Sequence, residues 1–208
     1  MLALRFVALF FVFPAFAALP AVSVAEATPC SGTFLPDQRF LFALPSGDAS
    51  AGTPRLSGIA IVSETIEEAS QRGRTAMMVL QGGADLDNPA FERATLSHFE
   101  KRENEERMKL VTLTLGSGGS VTVEANQAVA TPFGDLVRAD AFRLGQSLLK
   151  ANGTYGIVWG IESSPSYDPV YDITLKDRRA EERTLVVSDG VLVGLNRCGI
   201  LKRDGFSW

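Results

Sequence analysis

Phe99–Thr131 reads FEKRENEERMKLVTLTLGSGGSVTVEANQAVAT, and its second half carries a strong local pattern. Val111, Leu113 and Leu115 alternate with Thr112 and Thr114; Gly116-Ser117-Gly118-Gly119 follows, and Val121, Val123 and Ala125 resume the alternation. Apolar side chains at period two give each strand one face for a core, and glycines where the alternation stops supply the turn. The spacing predicts a β-hairpin. The first half is a charge run, Glu100-Lys101-Arg102-Glu103-Asn104-Glu105-Glu106-Arg107, whose mixed signs predict a solvated surface.

Outward from this hairpin, strand signals dominate. Thr184–Val187, the turn Ser188-Asp189-Gly190 and Val191–Leu195 predict a second hairpin, because Asp-Gly supplies the positive φ a tight turn demands. Tyr155–Ile161 and Val170–Leu175 read as strands separated by Ser163-Ser164-Pro165-Ser166, and Arg55–Ser63 and Thr75–Leu80 as strands nearer the start. Helical signals are fewer: Glu64–Arg72 could make two turns, and Asn88–Arg107 combines Pro89 with the charge run. Phe133–Lys150, with apolar residues at 133, 136, 137, 141, 144 and 148, fits a helix better than a strand by local period. Ser46–Pro54, rich in Gly, Ser, Ala and Pro, reads as a loop that closes a short N-terminal segment, residues 26–54.

The 208 residues open on Met1–Ala25, which has the parts of an export leader: Arg5, an apolar run Phe6–Phe16 broken by Pro14, and small residues. Ser23-Val24-Ala25 is the preferred cleavage site, with Ala15-Phe16-Ala17 second. Pro14 and Pro20 interrupt a stretch already short for a bilayer, so the expected mature chain is secreted or extracytoplasmic and has no membrane span. Removing the leader takes one cation, leaving 19 Lys and Arg against 24 Asp and Glu, and the net charge moves from −4 to −5. An acidic chain lacks the basic stripe that phosphate binding needs, which argues against nucleic acid. One His and two Cys are too few soft ligands for a closed zinc site, and no cofactor is expected. In an oxidising compartment Cys30 and Cys198 are most simply a disulfide joining the two ends. The alternative is a nucleophilic Cys30 thiol, which needs a free thiolate and a proton shuttle. Asn152-Gly153-Thr154 is a glycosylation sequon, usable in a eukaryotic host.

Taken in order, these segments resemble the Hint module, the autoprocessing domain shared by hedgehog proteins and inteins. Phe99–Thr131 is similar to the hedgehog-type pattern of a phenylalanine, a charged run, a strand, a Gly-rich turn and a strand leading into Thr-x-x-His. Val137–Leu149 resembles the following "v-x-A-x-x-l-x-x-G-D-x-l" segment, and Arg183–Val193 resembles the closing hairpin. Ala69–Arg74 sits where the family has a leucine before G-D-x-V. The resemblance spans about residues 55 to 195 and implies an all-β horseshoe of twisted hairpins with pseudo-two-fold symmetry over 55–208. It also implies that Leu136–Leu149 is a short strand pair rather than a helix, and that the chain's two ends meet.

The family's chemistry is an N-to-S acyl shift by a cysteine at the domain start, assisted by a Thr and by a His three residues later. In hedgehog proteins an acidic residue then activates a sterol acceptor. Carried over, the Thr position is Glu124, the His position is Gln127, and the acidic position falls on Lys101 beside Glu100. An amide at Gln127 cannot shuttle a proton. A charge at Glu124 opposes a developing oxyanion, and Lys101 is a poor base near neutral pH. The bland alternative for Glu124 and Gln127 is a pair of solvent-facing residues after a strand. Cys30 follows Pro29 rather than the family's Gly and lies further upstream of Gly73 than the family spacing; without an insertion that register falls near Ser50. His98 maps beside the apolar phenylalanine segment and is expected to be packed.

The preferred expectation is a secreted Hint-like domain whose self-processing is lost or reduced. The rivals are an active autoprocessing enzyme using Cys30 and an unrelated secreted β-rich binding module. A sterol acceptor follows only if hedgehog-type activity survives; no other partner is implied.

Overall fold

The computed structural model describes residues 29–104, 107–179 and 184–195, with side chains over 33–104, 107–178 and 184–195. The described chain is all-β. Its strands are β1 (Pro29–Phe34), β2 (Arg39–Ala43), β3 (Arg55–Leu56), β4 (Ile59–Thr65), β5 (Ala76–Leu80), β6 (Phe91–Arg102), β7 (Met108–Leu115) and β8 (Ser120–Glu124). After them come β9 (Ala128–Ala130), β10 (Leu136–Arg138), β11 (Ser147–Leu149), β12 (Tyr155–Ser166), β13 (Val170–Arg179), β14 (Leu185–Ser188) and β15 (Val191–Gly194). One short helix, α1 (Ile66–Gln71), and a 3₁₀ turn at Ala139–Ala141 complete the described elements.

Both hairpins form where the alternation placed them. Val111 faces Val123 and Leu113 faces Val121 across β7 and β8, and Val187 faces Leu192 across β14 and β15. Asp189 and Gly190 take φ of 49° and 80°, the pair of positive values that a two-residue hairpin turn requires. Arg55–Ser63 is not one strand but two, because Ser57 and Gly58 both have positive φ and fold β3 back onto β4. Ser163–Ser166 continues β12 instead of separating two strands. Asn88–Arg107 holds no helix among its described residues: Phe91, Ala94 and Leu96 are buried along β6, and the charges that follow line its exposed end.

Phe133–Lys150 follows the family-implied reading, not the local period. It folds as β10, the 3₁₀ turn and β11. The two strands do not pair with each other, however: β10 pairs with β9 and β11 with β12, in different sheets. Partners distant in sequence outweigh the 3.6-residue pattern here.

The larger sheet runs β1-β13-β6-β5-β2-β14-β15-β9-β10, with β3 and β4 attached beside β2, and the smaller runs β11-β12-β7-β8. Two long antiparallel pairs link them. β6 is followed in the chain by β7 and β12 by β13; β6 pairs with β13 in one sheet and β7 with β12 in the other. Residues 29–43, upstream of the Ser46–Pro54 loop, supply two strands to the large sheet. The core is built on the fully buried Phe40 and Phe42, with the Phe34 ring 4.8 Å from Phe40 and the Phe99 ring 6.4 Å from Phe42. Glu64, only 3% exposed, ties β4 to the chain beyond α1 by accepting from Arg74 Nε at 2.8 Å and Nη2 at 2.7 Å, with Arg72 as a further donor.

Candidate functional site

Glu124 ends β8, and the chain then turns tightly, with the Gln127 N–H donating to the Glu124 carbonyl at 2.9 Å. The turn is held from both sides: the Ala125 N–H donates to Lys109, and the Asp140 and Ala139 N–H groups donate to Ala125 and Gln127. These bonds fix Glu124 at one wall of a narrow crevice, too tight to hold a water molecule, that Thr33, Phe34, Gln38, Met108 and Val170 also line. Gln38 is buried and braces the crevice, accepting from the Leu35 N–H at 2.8 Å and donating to the Thr122 carbonyl at 3.2 Å.

Thr33 enters the crevice from β1. It stands opposite Asp172 in the β1–β13 register, and its hydroxyl donates to the Asp172 carboxylate. The other Asp172 oxygen accepts from Arg102 Nε at 3.1 Å. A hydroxyl, a carboxylate and a guanidinium are therefore aligned across β1, β13 and β6, with the Glu124 carboxyl on the same crevice. Burial pushes the Glu124 carboxyl above its ordinary value; a hydrogen bond from Asn126 and the Arg102 charge oppose this, while the Asp172 charge adds to it. Glu124 thus holds a proton more readily than an exposed glutamate, which softens the electrostatic objection to it.

Gln127 is not solvent-facing. It is 1% exposed, and its side-chain amide donates to the Gly194 carbonyl at the end of β15. Lys101 belongs to a different set: its ammonium lies 3.6 Å from Glu67 and 5.9 Å from the centre of the Tyr171 ring, whose hydroxyl donates to Glu67 at 3.2 Å. Tyr171 and Asp172 are successive residues of a strand, so Lys101 and Arg102 meet opposite faces of the sheet. His98 is not packed; its side chain is 59% exposed and lies 3.4 Å from Glu100. Ser50 is exposed in the loop, bonded to Thr53. The Cys30 backbone pairs with Leu175 in β1, while its side chain and all of Cys198 lie outside the described residues, as does the disulfide expected between them. Asn152 is exposed in a turn, its Oδ1 accepting from the Thr154 N–H at 3.1 Å and the Thr154 hydroxyl at 2.7 Å.

The structure therefore brings Glu124 to the crevice and leaves Gln127 and Lys101 engaged elsewhere. Thr33, Asp172 and Arg102 escaped the sequence reading. One signal for Asp172 was present: Val170-Tyr171-Asp172-Ile173-Thr174-Leu175 is an apolar strand interrupted by a single carboxylate. Thr33 carried none, because a threonine in a strand is unremarkable. A larger surface hollow of about 290 Å³, lined by Arg107, Met108, Lys109 and Ser163-Ser164-Pro165, adjoins Met108 but contains no hydroxyl–carboxylate pair. Among the described residues no group of three His, Cys, Asp or Glu could hold a metal ion, and no helix is long and apolar enough to cross a membrane.

No family model matches the sequence, and no curated protein matches it. Solved structures do match. An intein from a hyperthermophile superposes with a TM-score of 0.54 at 15% identity, over 79% of this chain and 99% of that one. The VidaL intein gives 0.52 at 14% identity over 78% and 95%, and a DnaB intein from Synechocystis sp. PCC 6803 gives 0.52 at 14% identity over 79% and 98%. The chain thus has the curled, all-β Hint fold of inteins.

Proposed function

We propose that this chain is a secreted, hedgehog-type Hint-like domain in which cysteine-dependent self-processing is lost or reduced. The observation that supports the reading is Gln127. It stands where the resemblance puts the proton-donating histidine, and its buried amide donates to the Gly194 carbonyl, so it has no titratable proton for a departing amide nitrogen and one of its two N–H donors is already engaged. Lys101, at the acidic position, is a cation paired with Glu67 across the sheet from the crevice, so that position offers no carboxylate to a sterol hydroxyl. The Cys30 backbone lies three residues upstream of the crevice-lining Thr33, consistent with a cysteine that serves a disulfide with Cys198 rather than catalysis.

The test is the intact mass of the purified chain with and without dithiothreitol. The expected result is no cleavage and a mass increase of two hydrogen atoms on reduction. Thiol-dependent loss of an N-terminal fragment ahead of Cys30 would overturn the reading.

A further inference from the structure

We infer that Thr33 is the nucleophile of a residual self-processing reaction in which its hydroxyl converts the Gly32–Thr33 peptide bond into an ester. The inference rests on the reading above for its reaction class and deepens it by assigning the bond and the groups. Three observations carry it. The Thr33 hydroxyl already donates to a carboxylate, Asp172, in the relation of a nucleophile to its base. Arg102 holds the second Asp172 oxygen at 3.1 Å, fixing the carboxylate in place. The Glu124 carboxyl lines the same crevice as Thr33. The buried Phe34, 4.8 Å from Phe40, anchors the strand immediately after the reacting residue, and Gly32 presents no side chain ahead of it.

A threonine oxygen reaches the carbonyl carbon before it through a five-membered ring, so no backbone rearrangement is needed to bring the atoms together. The Thr33 Oγ forms a bond to the Gly32 carbonyl carbon as its proton passes to Asp172. The C–N bond then breaks, and the Thr33 nitrogen takes a proton from Glu124, whose burial favours the protonated carboxyl. Return of the proton from Asp172 to Glu124 closes the cycle. The net change is an isomerisation of amide to ester and free amine with no co-reactant. Water then hydrolyses the ester, leaving Gly32 with a carboxyl end and Thr33 as a new amino terminus. A hydroxyl is a weaker nucleophile than a thiolate, which makes the reaction slow and calls for a strong trap.

The experiment uses the full purified chain with hydroxylamine, followed by intact mass and amino-terminal sequencing, with circular dichroism on every variant. The expected product begins at Thr33. Thr33→Ala should abolish it, and Asp172→Asn should slow it about a hundredfold, the lower range for lost acid–base assistance. Thr33→Cys should speed it and make it respond to dithiothreitol as well, because the intermediate becomes a thioester. Release of the same product by Thr33→Ala, or no product from folded wild type and folded Thr33→Cys, overturns the inference alone. A dithiothreitol-released product beginning at Cys30 would instead overturn the reading on which it rests.

Discussion

Glu64 and Glu124 are moved in opposite directions by their surroundings. Hydrogen bonds and charge from Arg74 and Arg72 hold the Glu64 carboxyl below its ordinary value against the cost of burial. Folding therefore favours its ionised form; the stability this contributes is full above the unfolded value near 4.3 and is lost as pH falls through the lowered folded value. Glu64→Gln should destabilise the protein by about 1–3 kcal/mol at pH 7, in urea unfolding, with the difference shrinking in acid. Glu124 behaves conversely. Its folded value is raised by burial, so the contribution is present below the unfolded value and lost as pH rises through the folded one. Glu124→Gln should raise the melting temperature at pH 7 and give no gain near pH 4. Equal melting of the two proteins at both pH values would show that the carboxyl is solvated. Nothing in the sequence around Glu124 distinguishes a half-buried acid from a surface one; the neighbours that desolvate it, such as Thr33 and Val170, come from other strands.

At the scale of the element, α1 has six residues, too short to persist without help from its ends. Thr65 supplies it: its hydroxyl accepts from the Glu68 N–H at 3.1 Å, and the Glu68 carboxylate accepts from the Thr65 N–H at 3.0 Å. Thr65→Ala should cost about 1 kcal/mol of unfolding free energy. The hairpin turn after β7 depends on a different device. A Cβ at Gly116 would lie 2.4 Å from Cε2 of Trp159, so the ring lies over the glycine. Trp159 is 71% exposed and free to swing outward. Gly116→Ala should therefore shift the tryptophan emission to the red, with Trp159→Phe as the control, while leaving the melting temperature nearly unchanged. The capping pattern and the glycine turn are visible in the sequence because both act between near neighbours. That Trp159 of β12 lies over the β7 turn is not, because the two are joined only by strand pairing.

For the whole molecule, the pairings of β6 with β13 and of β7 with β12 tie the two sheets together, and the aromatic cluster sits in their shared core. Phe42→Ala, at a fully buried site between Phe40 and Phe99, should cost about 3–5 kcal/mol and lower both far-ultraviolet and fluorescence transitions together. Separate transitions would show that the sheets unfold independently. The class of this fold was legible in the chain, since period-two alternation and Asp-Gly or Gly-rich turns act locally and need no partner to be read. The order of four weak segments carried the resemblance further, to a fold that the intein structures share. The candidate site was legible only at Glu124. Thr33, Arg102 and Asp172 meet because β1, β13 and β6 lie side by side, and Gln127 is occupied because β15 ends beside it. Strand pairing between residues 70 to 139 positions apart is set by how the whole sheet closes, so tertiary packing alone determines which polar groups share the crevice.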